Sequence, residues 1–332
     1  MKRINWLDTT RGLAFLMVIY CHLDYCDSQI MRFFSPVFLT MFFFVSGYLF
    51  KENWSFSKVF EQRTRTILLP FLIWGSVLIL TRCVLTFKDE QPSVAESFLS
   101  MLLQDGANRD LWFVAALYTF SIVFYWVLRW CGSGTKLLVV CTILFILNTV
   151  YDRWLHGPFI LWYVHLTGYG CFYMGLGKWY RQREEKVNKI ASKWLVWLAL
   201  VVYVAYIYIF DFHVSYGSSN LIVDAIFITL IGIFAMTYLC KWYAGRSKFL
   251  LYVGANSLLY FVLHGKCFML LQTILSKVLE MTDISLSYIG HDIMGFVITF
   301  LDALILIIPV WLVNRYVPQT LGRGFHLWKS KE

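Results

Sequence analysis

Long apolar stretches recur along the whole chain and constrain its fold more than any other feature. Ten of them approach the roughly 17–25 residues that an α-helix needs to cross a bilayer. They lie near residues 9–27, 33–50, 66–86, 111–130, 136–151, 158–177, 194–210, 220–240, 249–270 and 289–314. Continuous apolar runs indicate helices, whereas the strands of a membrane barrel alternate between polar and apolar residues. The sequence therefore predicts an all-α integral membrane protein with about ten transmembrane helices.

The composition agrees with this fold class. The 332 residues are 59% hydrophobic and only 15% charged, and the mean hydropathy is +0.63. In a soluble domain about a quarter of all residues would be charged. Since no repeat, low-complexity tract or long linker divides the chain, residues 1–332 are expected to form a single transmembrane domain.

The positions of the basic residues predict the topology. If the N-terminus is inside, only seven of the 29 Lys and Arg residues fall in outer segments. These are Arg32, Arg82, Lys88, Arg109, Arg153, Lys266 and Lys277. Cytoplasmic loops carry an excess of basic residues, so both termini are predicted to be cytoplasmic. Because the basic residues are spread over several inner segments, the net charge of +9 reflects topology, and no binding of nucleic acid is expected.

Ionisable residues inside the predicted spans are the first candidates for a functional site. Arg11 and His22 are eleven residues apart in the first span, and eleven helical steps of roughly 100° place them on one face. His165 and His264 share the outer half of the membrane with His22, and Asp302 lies in the middle of the last span. Such groups usually face the interior of a bundle or a watery cavity and mark function.

Structural roles would also account for these residues. A single intramembrane His often serves as a hydrogen-bond partner between helices. Arg11 also fits a snorkelling anchor at the inner boundary, with Asp8 as its ion-pair partner one turn earlier. From the residues alone, Arg11 fits a structural anchor and a functional site equally well. No metal is expected, because the histidines lack carboxylate or cysteine companions at the paired spacing of metal ligands.

The stretch LDTTRGLAFLMVIYCH, which contains Arg11 and His22, resembles the membrane-bound acyltransferase-3 family. Similar segments follow in the order typical of the family: FFFVSGYLF, RTRTILLPFLIW, LWFVAAL and SLLYFVLHG. Together they cover residues 7–265. The chain departs from the commoner family pattern at Arg63 and Arg65, which are two rather than three residues apart and precede a Pro-Phe pair.

The resemblance implies a function as well as a fold. Members of the family span the membrane about ten times and O-acylate sugars of surface polysaccharides or related envelope molecules. It implies a membrane O-acyltransferase, usually an O-acetyltransferase, in the cytoplasmic (inner) membrane of a bacterium. The partners it implies are acetyl-CoA or another acyl-CoA as donor substrate, an envelope glycan or lipid-linked sugar as acceptor, and membrane lipid. No permanently bound cofactor is expected.

Site residues follow from the resemblance together with side-chain chemistry. Imidazole titrates near neutral pH, so His22 is predicted to be the general base for the acceptor hydroxyl, with Arg11 and His264 as further catalytic residues. Arginine forks suit the phosphates of coenzyme A. The predicted donor-binding residues are Arg63, Arg65, Lys51, Ser46 and Tyr48, and the predicted acceptor-binding residues are His165, Trp112 and Asp302.

Two other functional classes fit parts of the sequence. A secondary transporter or exporter of a small metabolite would use the intramembrane His and Asp residues as a proton relay. Against that class, the chain has no inverted repeat and no matching pair of Gly/Pro-broken spans. A sensor or scaffold in polysaccharide assembly is the third class. Dependence on coenzyme A separates the acyltransferase from the transporter.

Overall fold

The computed structural model describes residues 3–22, 28–85, 93–105, 111–155, 159–210, 222–282 and 288–323. Within these ranges the chain forms helices and turns and no strand, which confirms the all-α class. The α-helices are α1 (Asn5–Tyr20), α2 (Ser28–Phe34), α3 (Phe38–Tyr48), α4 (Phe56–Arg63), α5 (Leu69–Leu85), α6 (Val94–Leu103), α7 (Trp112–Cys131), α8 (Thr135–Thr149), α9 (Thr167–Ile190), α10 (Lys193–Ile209), α11 (Ile222–Trp242), α12 (Lys248–Ala255), α13 (Ser257–Thr282), α14 (Tyr288–Ile305) and α15 (Ile307–Tyr316).

Several of these helices are long and apolar enough to cross a membrane. In the described part of the chain there are five such segments: Ile30–Tyr48, Phe56–Arg82, Trp112–Cys131, Thr135–Asp152 and Asp292–Tyr316. A sixth results if Leu161–Ile190 and Lys193–Ile209, which are bent by 105°, form one broken span. A multi-pass helical membrane protein is therefore supported. The number of ten spans and the cytoplasmic termini remain predictions.

The chain forms two compact units, each assembled from two separate stretches. The first unit comprises Met1–Ser46 and Tyr180–Trp311, and the second comprises Gly47–Trp179 and Leu312–Glu332. Each unit thus depends on contacts between residues that are far apart in sequence. The expected single domain over residues 1–332 stays a prediction.

In the first unit, α1 is a central helix. It packs against α11, α12, α13 and α14, and its side chains are buried around most of the helix. Phe15, Val18, Ile19 and Tyr20 are each no more than 1% exposed. A helix that is apolar all round belongs in the interior of a bundle. The buried packing of α1 therefore fixes the position of Arg11, which lies on this helix, and of the turn that follows it with His22.

The backbones of α1 and α12 touch through two glycines. A Cβ on Gly12 would lie 2.3 Å from the carbonyl oxygen of Leu250, and a Cβ on Gly254 would lie 1.8 Å from that of Asp8. Small residues are what allow two membrane helices to approach this closely. The pair of glycines therefore sets the position of α1 within its unit.

The second unit includes α5, α7 and the first part of α9, up to Trp179. The helical segment from α4 to α5 is continuous but passes through a π-helical turn at Thr64–Leu68. α7 contacts α4, α8 and this turn. Phe120 and Phe124 of α7 are almost completely buried, and Gly170 of α9 packs directly on the Phe120 ring. These contacts form the core of the second unit.

Candidate functional site

His22 lies in a turn at the end of α1. The helix ends at Tyr20, earlier than the predicted span over 9–27, and residues 23–27 of that span lie outside the described residues. The backbone N–H of His22 donates to the Ile19 carbonyl at 3.0 Å, and its ring Nδ1 is 2.7 Å from the carbonyl oxygen of Val18. The imidazole is exposed, while the turn that holds it is tied back to the buried helix.

The ring of His264 on α13 lies beside the ring of His22. The centroids of the two imidazole rings are 5.4 Å apart at an interplanar angle of 75°. His264 is 8% exposed, and the edge contact with the Phe15 ring has a centroid distance of 5.5 Å. The structure therefore brings together two of the three histidines that the sequence placed at one depth.

Both histidines have Nδ1 held by a backbone carbonyl of their own helix. The Nδ1 of His264 is 2.7 Å from the Phe261 carbonyl oxygen, just as the Nδ1 of His22 is held by Val18. A carbonyl oxygen only accepts hydrogen bonds, so the neutral form of each ring carries its proton on Nδ1. The Nε2 of each ring then keeps a lone pair that can accept a proton.

Two acidic residues of α14 face α1 and α13 in the first unit. The Tyr20 hydroxyl donates to Oδ1 of Asp292 at 3.0 Å and thereby fixes the end of α1. Asp302, a predicted acceptor ligand, is fully buried on α14. Its carboxyl faces Tyr260 and Cys267 of α13. Asp302 therefore lies in the interior of the first unit.

Arg11 forms the ion pair with Asp8 that the sequence predicted as one of two alternatives. Its Nη1 is 3.7 Å from Oδ1 of Asp8, and Asp8 also accepts a hydrogen bond from Nε of Arg3. The 3.7 Å separation is that of an ion pair and exceeds the length of a hydrogen bond. The Arg11 side chain as a whole is 27% exposed.

In the second unit, cationic side chains gather on aromatic rings between residues 50 and 63, which we term the basic–aromatic segment. The Nζ atoms of Lys51 and Lys58 lie 4.6 and 5.7 Å from the centroid of the Trp54 ring. The guanidinium of Arg63 lies 5.2 Å from the Phe50 ring. Sequence reasoning named Lys51 and Arg63 but missed Lys58 and Trp54. The alternation of lysines around a tryptophan in KENWSFSK was the available signal.

A buried lysine holds the start of this segment. Lys178 of α9 is 5% exposed. Its Nζ donates to the Phe50 carbonyl at 2.9 Å and lies 2.7 Å from Oε1 of Glu52. The apolar stem of the side chain is buried while the ammonium group reaches the polar backbone, as is usual for lysine.

Lys178→Met is expected to lower the free energy of unfolding by about 1–3 kcal/mol, because it removes a buried hydrogen bond and a half-exposed ion pair. Thermal unfolding of the purified protein measures the effect. Lys186→Met is the matched control, since Lys186 lies on the same helix and is exposed. Equal unfolding temperatures for the two variants would contradict an anchoring role for Lys178.

The other predicted donor residues lie near the junctions of helices. Arg65 lies in the π-helical turn that joins α4 to α5, and such turns often occur at functional sites. The backbone of Gly322, whose φ is +68°, packs against this turn: a Cβ added at Gly322 would lie 2.0 Å from the carbonyl oxygen of Arg65. Tyr48 is buried at the end of α3, and Ser46 is half-buried two residues earlier.

His165 does not lie within a regular helix. The predicted span over 158–177 begins as a 3₁₀ turn, Leu161–Leu166, and α9 starts only at Thr167. Trp162 and Tyr163 have φ values of 58° and 57°, and an α-helix cannot run through left-handed residues. His165 therefore lies in a 3₁₀ turn just before α9, and its depth in the membrane stays a prediction.

The strained turn meets the start of α7. The Trp112 ring lies 5.6 Å from the Tyr163 ring, and the Phe159 ring lies 5.0 Å from that of His165. Nε1 of Trp162 donates to the Leu102 carbonyl at 2.9 Å. Bulky residues in the left-handed region tend to occur at functional sites. Two predicted acceptor residues, Trp112 and His165, thus belong to one aromatic cluster.

Apolar helices of spanning length support a multi-pass membrane protein, and the first unit places a pair of histidines beside its buried central helix. The sequence model of the Acyl_transf_3 family, described as "Acyltransferase domain", matches residues 4–312. The chain belongs to this membrane acyltransferase-3 family, which confirms the resemblance seen in its motifs. No curated protein matches the chain, and no solved structure matches it.

Proposed function

We propose that this acyltransferase moves an acyl group, most simply acetyl, from acyl-CoA to a sugar hydroxyl of an envelope glycan or lipid-linked sugar in the inner membrane of a bacterium. Family membership supports acyl transfer. The observation that carries the finer proposal is the His22–His264 pair, whose rings are 5.4 Å apart. Each ring has its Nδ1 held by a carbonyl, so each Nε2 is left to act as a base.

The geometry supports a general-base reaction. Nε2 of His22 takes the proton of the acceptor hydroxyl while the oxygen attacks the thioester carbonyl carbon. The tetrahedral intermediate then collapses, the carbon–sulfur bond breaks, and the imidazolium gives its proton to the coenzyme A thiolate. The ring of His264 would orient the ring of His22 through their edge contact.

The donor would be held by cationic and aromatic side chains. Lys51, Arg63 and Arg65 of the second unit would supply positive charge for the phosphates of coenzyme A. Arg11 of the first unit stays a predicted donor contact. The Trp54 ring, flanked by Lys51 and Lys58, offers a flat face on which an adenine base can stack. Ser46 and Tyr48 stay predicted donor contacts.

The acceptor would be bound by aromatic and polar groups. Trp112 and the His165 turn share one cluster with Tyr163, and aromatic faces pack well against the apolar faces of sugar rings. Asp302 is fully buried, so its predicted contact with the acceptor requires an opening between α13 and α14.

The proposal is tested by incubating purified protein with radiolabelled acetyl-CoA, with and without envelope glycan extract. We expect coenzyme A release and transfer of label that both depend on the extract. Reconstituted vesicles that take up solute without coenzyme A, and protein that fails to bind acetyl-CoA, would instead establish the transporter.

Arg11→Ala is expected to raise the donor KM about 10–100-fold, the effect of one lost hydrogen bond to a charged group, with little change in kcat. Arg129→Ala is the matched control, because Arg129 is an exposed arginine that is also predicted to be on the inner side. A donor KM that stays unchanged in Arg11→Ala would leave Arg11 only its structural pairing with Asp8.

A further inference from the structure

The end of α1 is fastened to α14 by the hydroxyl of Tyr20. The hydroxyl donates to Oδ1 of Asp292 at 3.0 Å, and the two residues are 272 positions apart in sequence. A carboxylate accepts a stronger hydrogen bond than a neutral oxygen does. Tyr20 is 1% exposed, whereas Asp292 is half-buried. The bond therefore joins a buried side chain of α1 to a helix that the chain reaches only much later.

The Tyr20 ring is also enclosed by two phenylalanines, and we term Tyr20, Phe34 and Phe296 the aromatic triad. The centroid of the Tyr20 ring lies 5.3 Å from that of Phe34 on α2 and 4.8 Å from that of Phe296 on α14. The rings of Phe34 and Phe296 are themselves 6.4 Å apart. These are the separations of favourable aromatic pairs. Since each ring contacts the other two, packing fixes the direction in which the Tyr20 hydroxyl points.

The hydrogen bonds that orient His22 belong to the same turn of the helix. The backbone N–H of His22 donates to the Ile19 carbonyl, and its Nδ1 is held by the Val18 carbonyl. Helix ends tend to fray, and the last turn of α1 has no basic residue and is followed by Cys21 rather than by a capping glycine. Any movement of this turn therefore moves both carbonyls and the imidazole that they hold.

The Tyr20–Asp292 bond restrains this turn in a way that apolar packing does not. Val18 and Ile19 are no more than 1% exposed, and their burial keeps the turn inside the unit. Burial is non-directional, whereas a hydrogen bond depends steeply on its angle. The bond therefore adds a directional restraint to the turn that carries His22.

We propose that Tyr20 and Asp292 are positioning residues for acyl transfer, because their hydrogen bond holds the last turn of α1 in the rotation that aims Nε2 of His22 at the acceptor hydroxyl. The inference rests on the proposed function, since it concerns the general base of that reaction. Neither residue contacts substrate or takes up a proton. Misplacing a catalytic group by about 1 Å can lower a rate about 100-fold, so this bond is close enough to His22 to set kcat.

Tyr20→Phe tests the bond, because it removes the hydroxyl and keeps the ring in the aromatic triad. We expect kcat to fall about 10–100-fold, with the donor KM unchanged and the unfolding temperature close to that of wild type. Tyr208→Phe is the matched control, since Tyr208 lies on α10 of the same unit and is 72% exposed. It should leave kcat unchanged. A kcat equal to that of wild type in Tyr20→Phe would overturn the proposal.

Two substitutions of Asp292 separate its hydrogen bond from its charge. Asp292→Asn keeps an oxygen that accepts from the Tyr20 hydroxyl, whereas Asp292→Leu removes every acceptor. We expect kcat to stay near that of wild type in Asp292→Asn and to fall as far in Asp292→Leu as in Tyr20→Phe. Equal losses in the two Asp292 variants would mean that the charge matters rather than the bond, and would overturn the proposal.

The His22→Ala background shows whether Tyr20 acts through the imidazole. If it does, adding Tyr20→Phe to His22→Ala causes no further loss of kcat, because residues that act as a unit have non-additive effects. A further loss as large as that caused by Tyr20→Phe in wild type would mean that Tyr20 acts by another route, and would overturn the proposal.

A spectroscopic measurement tests the positioning without turnover. It uses protein labelled with ¹⁵N-histidine, in nanodiscs at a pH at which imidazole is neutral, and assigns the His22 signals by their loss in His22→Ala. We expect the Nδ1-protonated tautomer in wild type and a mixture of tautomers in Tyr20→Phe, because the Val18 carbonyl then no longer holds the ring. One unchanged tautomer in both proteins would overturn the positioning role. The expected change without any acyl transfer by wild type would overturn the proposed function and keep the positioning of His22.

Discussion

His22→Ala is expected to lower kcat for acyl transfer by about 10²–10⁴-fold, the contribution typical of a positioned general base. The donor KM should stay unchanged, because the imidazole acts on the acceptor hydroxyl. The Nδ1 of His22 is held 2.7 Å from the Val18 carbonyl oxygen, so the substitution removes one oriented Nε2. Label transfer from radiolabelled acetyl-CoA measures the loss.

Cys21→Ala is the matched control for His22→Ala, because it changes the neighbouring residue of the same turn and keeps the imidazole. Equal rates for wild type and His22→Ala would take His22 out of the reaction. The double variant with His264→Ala adds a second check. If the two rings act as one unit, the double variant should lose little more than His22→Ala alone.

Gly254→Ala is expected to lower the free energy of unfolding by about 3 kcal/mol or more, the upper range for overpacking a close contact. The added Cβ would lie 1.8 Å from the oxygen and 2.7 Å from the carbon of the Asp8 carbonyl, and 2.8 Å from the nitrogen of Gly12. All three are backbone atoms, which cannot rotate away as a side chain can. Thermal unfolding in detergent measures the loss.

Gly265→Ala provides the matched comparison for Gly254→Ala. Gly265 lies on α13 of the same unit, and a Cβ there meets nothing within 4 Å. Alanine is a better helix former than glycine by roughly 1 kcal/mol, so this variant should be as stable as wild type or more stable. Equal destabilisation of both variants would contradict the close contact between α1 and α12.

Some local features were predictable because they depend on neighbours in sequence. The ion pair between Asp8 and Arg11 joins residues one helical turn apart, and the sequence named it as one alternative. α7 begins at Trp112, beside the predicted boundary at 111. Other features were not predictable, because they depend on residues distant in sequence. Trp162 and Tyr163 are left-handed, and Nε1 of Trp162 donates to Leu102 of α6, so α9 begins only at Thr167 within the predicted span over 158–177.

The sequence by itself determined the helical membrane class, the order of the family motifs and the candidate residues of the first span. Apolar runs suffice for this, because a backbone in lipid must satisfy its own hydrogen bonds and a helix does so locally. Only the tertiary structure decided that His22 meets His264 and that Lys178 is tied to Phe50. Each of these depends on how helices far apart in sequence pack, and packing is fixed by contacts such as that of Gly254 on Asp8, which no local pattern encodes.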